Sequence, residues 1–376
     1  MLDERLIRIT SGFCVCLAVT AGVTCTLPAT ASKPPENESK LVRIGNVPLR
    51  EGWYKLQFVN EREGWLASGK NLWRTTDGGK NWDIAYSDEG SWGILDSIDS
   101  LEFINSQTGW MLADRIYKTE DSSNTWKRLS DPDVVLHSIR FLKDGKRGWA
   151  AGEIYRPISP KDAGVRSQLV SSDGKKVLYP GLFHTEDGGA TWSRQSLPSS
   201  EGRLLYLCFL DADHGWASSD AEFFYLESDS NRWRLVDYSK GNCANRMLLE
   251  TTQWETQGGD AYEPVAIFFL DANQGWLSFR NGYMAKSTDG GRTWCDLFNP
   301  RGVWPSQTWE TFFAKIHFTN SMQGWGLGGD GSLQETNDGG VIWHKVGITG
   351  RFEDMCFLDR GSGWVVGKEG LFRINP

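Results

Sequence analysis

The chain has 376 residues, 39% of them hydrophobic, enough to bury a sizeable core, and it holds 19 tryptophans and 42 glycines. Many aromatics beside many glycines point to numerous short strands joined by tight turns. The formal net charge of −8 excludes a general phosphate-tracking surface for nucleic acid, which needs a basic excess.

Arg5 and Arg8 precede an apolar run from Ile9 to Leu27, which ends in the small-residue pattern Ala29-Thr30-Ala31. This predicts a secretory signal over residues 1–31. The alternative is an uncleaved N-terminal anchor, for which the run is short and rich in Thr, Gly and Cys. Ser32 to Lys40 is polar and holds two prolines, so residues 32–40 read as a flexible leader. An exported chain sits where disulfides form. Of the seven cysteines, Cys14, Cys16 and Cys25 belong to the signal, and Cys208, Cys243, Cys295 and Cys356 remain. No CxxC spacing occurs, so no zinc site is expected, and with no triad, phosphate-loop or metal motif no cofactor is expected. Cys243 and Cys295 can pair, whereas Cys208 and Cys356 are expected as buried thiols.

From residue 41 onward a repeat takes over. Gly-Trp recurs with Trp65, Trp110, Trp149, Trp216, Trp276, Trp325 and Trp364. Seven residues before each Trp stands Phe58, Phe103, Phe209, Phe269, Phe318 or Phe357, and in the third copy Phe141 stands eight before. Two residues before each Phe is another apolar residue, from Leu56 and Leu101 to Met355. This alternation predicts a strand ending at the Phe, a turn, and a second strand starting at the Trp. An Asp box, S/T-x-D-x-G-x-x-W, follows. It is complete around Asp77, Asp187, Asp289 and Asp338, worn around Asp121, where Ser123 replaces the glycine, and nearly lost near Trp233. Its role is structural: the carboxylate accepts backbone N–H groups, the Gly takes positive φ and the Trp plugs the turn.

Four antiparallel strands per unit and seven units predict an all-β, seven-bladed propeller over residues 41–376. The seventh unit lacks an Asp box and fourth strand. The stretch Leu41 to Pro48 alternates like that strand and is expected to close the ring, which hides sheet edges.

Strand order places all long insertions on one face, opposite the Asp boxes. They run from about Ser87 to Ser97, Glu153 to Gly181, Tyr238 to Glu263 and Phe298 to Thr311. They carry Trp92, Tyr155, Arg156, Arg166, Trp254, Trp304 and Trp309, residue types that dominate interface energetics. These form the candidate partner-binding set, the alternative being aromatics that pack loops onto the disc. Gln57, Glu102, Arg140 and His317 precede the repeat Phe and are expected as polar groups satisfied between blades, or as a small site near the axis.

The coupled signature Phe-x-Asp/Asn…Gly-Trp…Thr-x-Asp-Gly-Gly-x-x-Trp resembles the photosystem II assembly and stability factor family, over roughly residues 41–376. That resemblance implies a seven-bladed propeller of the bacterial-neuraminidase-repeat type. It also implies export to the periplasm or thylakoid lumen, at most a peripheral membrane association, and assembly of reaction-centre subunits without catalysis. The Asp box alone is shared with sialidases and xyloglucan hydrolases. A sialidase needs three converging arginines and a Tyr-Glu nucleophile pair, and no motif here proposes them; a glycosidase needs only two carboxylates. The reading is therefore a monomeric, exported, non-catalytic scaffold that binds a protein, with a carbohydrate-binding or glycoside-hydrolase propeller as the alternative.

Overall fold

The computed structural model describes residues 40–45, 47, 54–87, 97–130, 132, 134–159, 170, 174–198, 203–219, 222–228, 230, 232–236, 263–280, 282–297, 312–346, 350–358 and 361–375. The expected signal, and the expected leader but for Lys40, lie outside the described residues.

From Ser39 onward the described residues form seven four-stranded antiparallel sheets. In the first, Tyr54–Phe58, Gly64–Ser68, Asn71–Thr75 and Asp83–Ser87 pair in chain order. The other blades repeat this order. In the seventh the fourth strand is Leu41–Gly45, paired antiparallel with Gly370–Ile374 from Leu41 opposite Ile374. The ring is therefore closed by the N-terminal strand, as the alternation predicts. Each innermost strand contacts that of the next blade, and the last contacts the first. The fold is a seven-bladed β-propeller.

The core lies between blades. One cluster joins Trp65, Ala67 and Leu72 of blade one to Ile98, Leu101, Phe103 and Met111 of blade two. The repeat Phe and Gly-Trp explain one another at this seam. In six of the seven seams the Trp ring stacks on the Phe of the following blade, as in Trp65 on Phe103 at 3.6 Å, Trp216 on Phe269 at 3.4 Å and Trp276 on Phe318 at 3.8 Å. Across the closure Trp364 stacks on Phe58 at 4.0 Å and 8°. Such a stack adds about 0.5–1.5 kcal/mol beyond its buried area. The Phe also lies over the Gly of its own blade. A Cβ on Gly64 would come 2.6 Å from Phe58 Cδ1, so only glycine fits beneath the ring.

The Asp box locks the outer hairpin. Thr75 Oγ1 donates to Asp77 Oδ1 at 2.9 Å and accepts the Gly79 N–H at 2.9 Å. Lys80 and Asn81 N–H both donate to Asp77 Oδ1 at 3.0 Å. Asp121, Asp187, Asp289 and Asp338 make the same turn. Backbone bonds tie the box to the Gly-Trp turn of its blade, as in Gly78 N–H to Arg62 O at 2.8 Å and Gly188 N–H to Lys146 O at 2.8 Å. Both turns therefore share one face. In three seams the Trp of the preceding blade donates its indole N–H into the same turn: Trp110 to Gly188 O at 3.0 Å, Trp216 to Gly290 O at 2.9 Å and Trp276 to Gly339 O at 2.9 Å. In the worn box Ser122 and Ser123 hold φ of 64° and 69° where other boxes have glycines, and Trp65 donates to Ser123 Oγ at 3.0 Å instead.

At blade seven the seam stack is replaced. Its outer strand comes from the N-terminal side, so no Asp-box turn receives Trp325. Trp325 sits 6.2 Å from Phe357 at 31°, and the His317 ring takes the stacked place at 4.4 Å and 4°.

Candidate partner-binding surface

The face opposite the Asp boxes receives the connections into each innermost strand and those between second and third strands. Blade three departs from its neighbours there. Its second and third strands, Gly148–Pro157 and Lys176–Thr185, are each ten residues long, against four or five in the other blades. They stay paired in unbroken register from Gly148–Thr185 to Pro157–Lys176. The two described ends of the insertion read as a loop over Glu153 to Gly181 thus form a ribbon. At about 3.3 Å per residue, the five extra pairs carry it roughly 16 Å past the blade.

Two of the candidate residues lie on this ribbon. Tyr155 is 47% exposed, and Ile158 beyond it is 42% exposed. The Arg156 guanidinium sits 4.0 Å from the centroid of Tyr179, its diagonal neighbour across the pair. Stacking of this kind fixes an arginine's plane, and Arg156 Nη1 also donates to Pro157 O at 3.2 Å. Beneath them Val177 and Leu178 are buried, at 1% and 4% exposure, and form a small satellite core. Both alternatives for the loop aromatics are therefore present on one element: Tyr179 packs under Arg156, whereas Tyr155 is exposed.

The ribbon is tied to the axis by polar groups that the sequence did not single out. Tyr155 OH donates to Glu153 Oε1 at 3.4 Å, and Glu153 Oε2 lies 3.4 Å from His137 Nε2 on the innermost strand. Burial, ahead of the Glu153 charge, pushes the Tyr155 phenol above its ordinary pKa. Glu153 itself is 8% exposed. The i, i+2 spacing of Glu153 and Tyr155 was visible, but His137 reaches them only through strand pairing, Val135 lying opposite Glu153.

Trp92, Arg166, Trp254, Trp304 and Trp309 lie outside the described residues, as does Cys243. Cys295 is disulfide-bonded, while Cys208 and Cys356 are free. Burial raises both free thiols to about 11. Each has a structural use: the Phe58 N–H donates to Cys356 Sγ at 3.2 Å, and Cys208 meets the backbone of Phe269 in the same way.

The polar residues before the repeat Phe serve the blade seams. Gln57 is bidentate to the next blade, its Nε2 donating to Phe103 O at 3.0 Å and its Oε1 accepting Phe103 N–H at 2.7 Å. Arg140 donates to Glu102 Oε2 at 3.2 Å and Ile139 O at 2.9 Å. Burial raises the Glu102 pKa while Arg140 opposes it. No group of three or more His, Cys, Asp or Glu side chains among the described residues could hold a metal ion. No helix of the described residues is long and apolar enough to cross a membrane.

No protein-family model matches the chain. A curated relative, the photosystem II assembly lipoprotein Ycf48 of Synechocystis sp., is 25% identical over 147 residues. That stretch is 37% of this chain and 41% of the relative, so the chain matches about two fifths of the relative's length. Among solved structures, YCF48 bound to D1 peptide superposes with a TM-score of 0.60 at 16% identity, covering 91% of this chain and 96% of that one. A GH74 xyloglucanase from Xanthomonas campestris superposes at 0.54 and 11% identity, covering 82% of this chain and 50% of that one.

Proposed function

We propose that this chain is a non-catalytic scaffold of the photosystem II assembly-factor kind, which docks a segment of a membrane-complex protein on its ribbon-bearing face. One observation carries the reading: sequence similarity and end-to-end fold similarity lead to the same kind of protein. The curated relative that shares sequence and a solved chain that shares the fold over nearly all of both lengths are both Ycf48. The glycoside hydrolase matches in fold alone, over half of its own chain.

That solved structure is described as bound to D1 peptide, which supports a protein segment as the partner class here. On this chain Tyr155, Arg156 and exposed Ile158 supply the amphipathic and bidentate groups that anchor peptides. We place the protein outside the cytoplasm, with residues 1–31 as its secretory signal, and as a monomer.

Fluorescence anisotropy with a labelled D1 peptide tests the proposal. The full chain is expected to saturate it, and Tyr155→Ala with Arg156→Ala is expected to weaken binding by about 2 kcal/mol or more, roughly thirtyfold, as for hot-spot residues. Absence of saturable binding, together with release of sugar from xyloglucan, would establish the hydrolase alternative instead.

A further inference from the structure

The innermost strands enclose a cavity of about 310 Å³ on the propeller axis, with wall residues from all seven blades. Much of the wall is neutral, including Ser138, Tyr206 and Ala266. Its charged residues are Lys55, Lys315, Arg140, Asp99 and Asp354, with His137 beside them.

These charges are not evenly matched. Asp354 is 1% exposed and fully served: it pairs with the Lys315 ammonium, accepts the Leu56 N–H at 2.7 Å and accepts the Met355 N–H at 2.8 Å. Arg140 is held by Glu102 and Ile139 O. The Lys55 ammonium makes no hydrogen bond or ion pair with any described residue, although it stands among these groups on the strand Tyr54–Phe58. Burial lowers its pKa and the like charge of Lys315 adds to this, while Asp354 and Asp99 oppose. An ammonium group half-buried in a cavity wall without an ion-pair partner is costly. A ligand of opposite charge removes that cost, and hydroxyl-bearing Ser138 and Tyr206 in the same wall add donors suited to it.

We propose that the axial cavity is a binding site for a small oxyanion, a carboxylate or a phosphate, held by Lys55 with Lys315 beside it. The size agrees: about 310 Å³ stands at the lower end of ligand pockets. The site is separate from the ribbon and stands independently of the partner-docking reading.

Trace acetylation of lysine amines on the wild-type full chain tests this. Labelling of Lys55 is quantified by peptide mass spectrometry against exposed Lys127, in chloride, succinate or inorganic phosphate at one ionic strength. Well above the dissociation constant, an occupied site leaves about a tenth of Lys55 free, so its labelling is expected to slow about tenfold while Lys127 is unchanged. Protection by succinate alone identifies a carboxylate site, and protection by phosphate alone a phosphate site. Equal labelling of Lys55 in all three salts overturns the proposal. So does a Lys55 that resists labelling in chloride, because the cavity would then be closed to small solutes. Lys55→Met gives a second measurement: the anion is expected to raise the thermal midpoint of wild type and not of this variant. An equal rise in both would also overturn the assignment.

Discussion

Placing a methyl group at Gly64 is the sharpest test of how the blades are joined. Its Cβ would lie 2.6 Å from Phe58 Cδ1 and 2.7 Å from two more atoms of that ring. The Phe58 ring cannot yield freely, being stacked on Trp364 at 4.0 Å and edge-on to Trp82 at 6.2 Å. Gly64→Ala is therefore expected to cost about 1–3 kcal/mol for overpacking, plus about 0.5–1.5 kcal/mol for the disturbed stack. Phe58→Leu alone is expected to cost about 1–2 kcal/mol. In the double variant the smaller, more pliable side chain leaves room for the methyl, so the cost should fall at least about 1 kcal/mol short of the sum. Urea denaturation of the four proteins gives the coupling directly. Strict additivity would refute the claim that glycine is required beneath the Phe. A Gly64→Ala variant as stable as wild type would refute it equally.

Four further outcomes follow from the same contacts. Asp77 and Asp187 titrate near 2 rather than 3.8, chiefly through the bonds each accepts from Asn81 N–H and from Thr191 Oγ1. Their stabilisation is thus complete above 3.8 and is lost as pH falls toward 2; wild type should lose thermal midpoint in that window more steeply than an Asp77→Asn, Asp187→Asn variant. Ile374→Ala, at a fully buried position opposite Leu41 in the closing pair, should cost about 2–5 kcal/mol in denaturation, and a loss under half a kilocalorie would contradict ring closure there. Cys208 and Cys356, raised to about 11, should resist a thiol reagent in the folded protein and react fully once it is denatured. Non-reducing peptide mapping should link Cys295 to Cys243, leaving those two thiols unlinked.

Much of the fold was legible because its repeat is written in residues that can do little else. Glycine beneath Phe58, the seam stack of Trp65 on Phe103 and the carboxylate of Asp77 are each set by local spacing. The closing strand was legible from the alternation after Leu41 and from the missing outer strand of blade seven. The ribbon was not, since Pro180 and Gly181 in its third strand are residue types that break strands, and only continuous pairing with Glu153 and Gly152 overrides them. Nor was the use of Cys356 as an acceptor for Phe58, 298 residues away. The axial group of Lys55, Lys315 and Asp354 was equally hidden, because it is assembled from three blades and no linear spacing encodes it. Of the candidate site, Tyr155 and Arg156 emerged from residue type alone, whereas their link through Glu153 to His137 depends on strand register.

The scaffold reading is tested most directly by purifying the tagged mature chain from mildly solubilised host membranes and identifying what accompanies it, beside a Tyr155→Ala, Arg156→Ala variant. The account predicts that subunits of one membrane complex accompany wild type and are lost from the folded variant. Recovery of no subunit with either protein, or equal recovery with both, would contradict it.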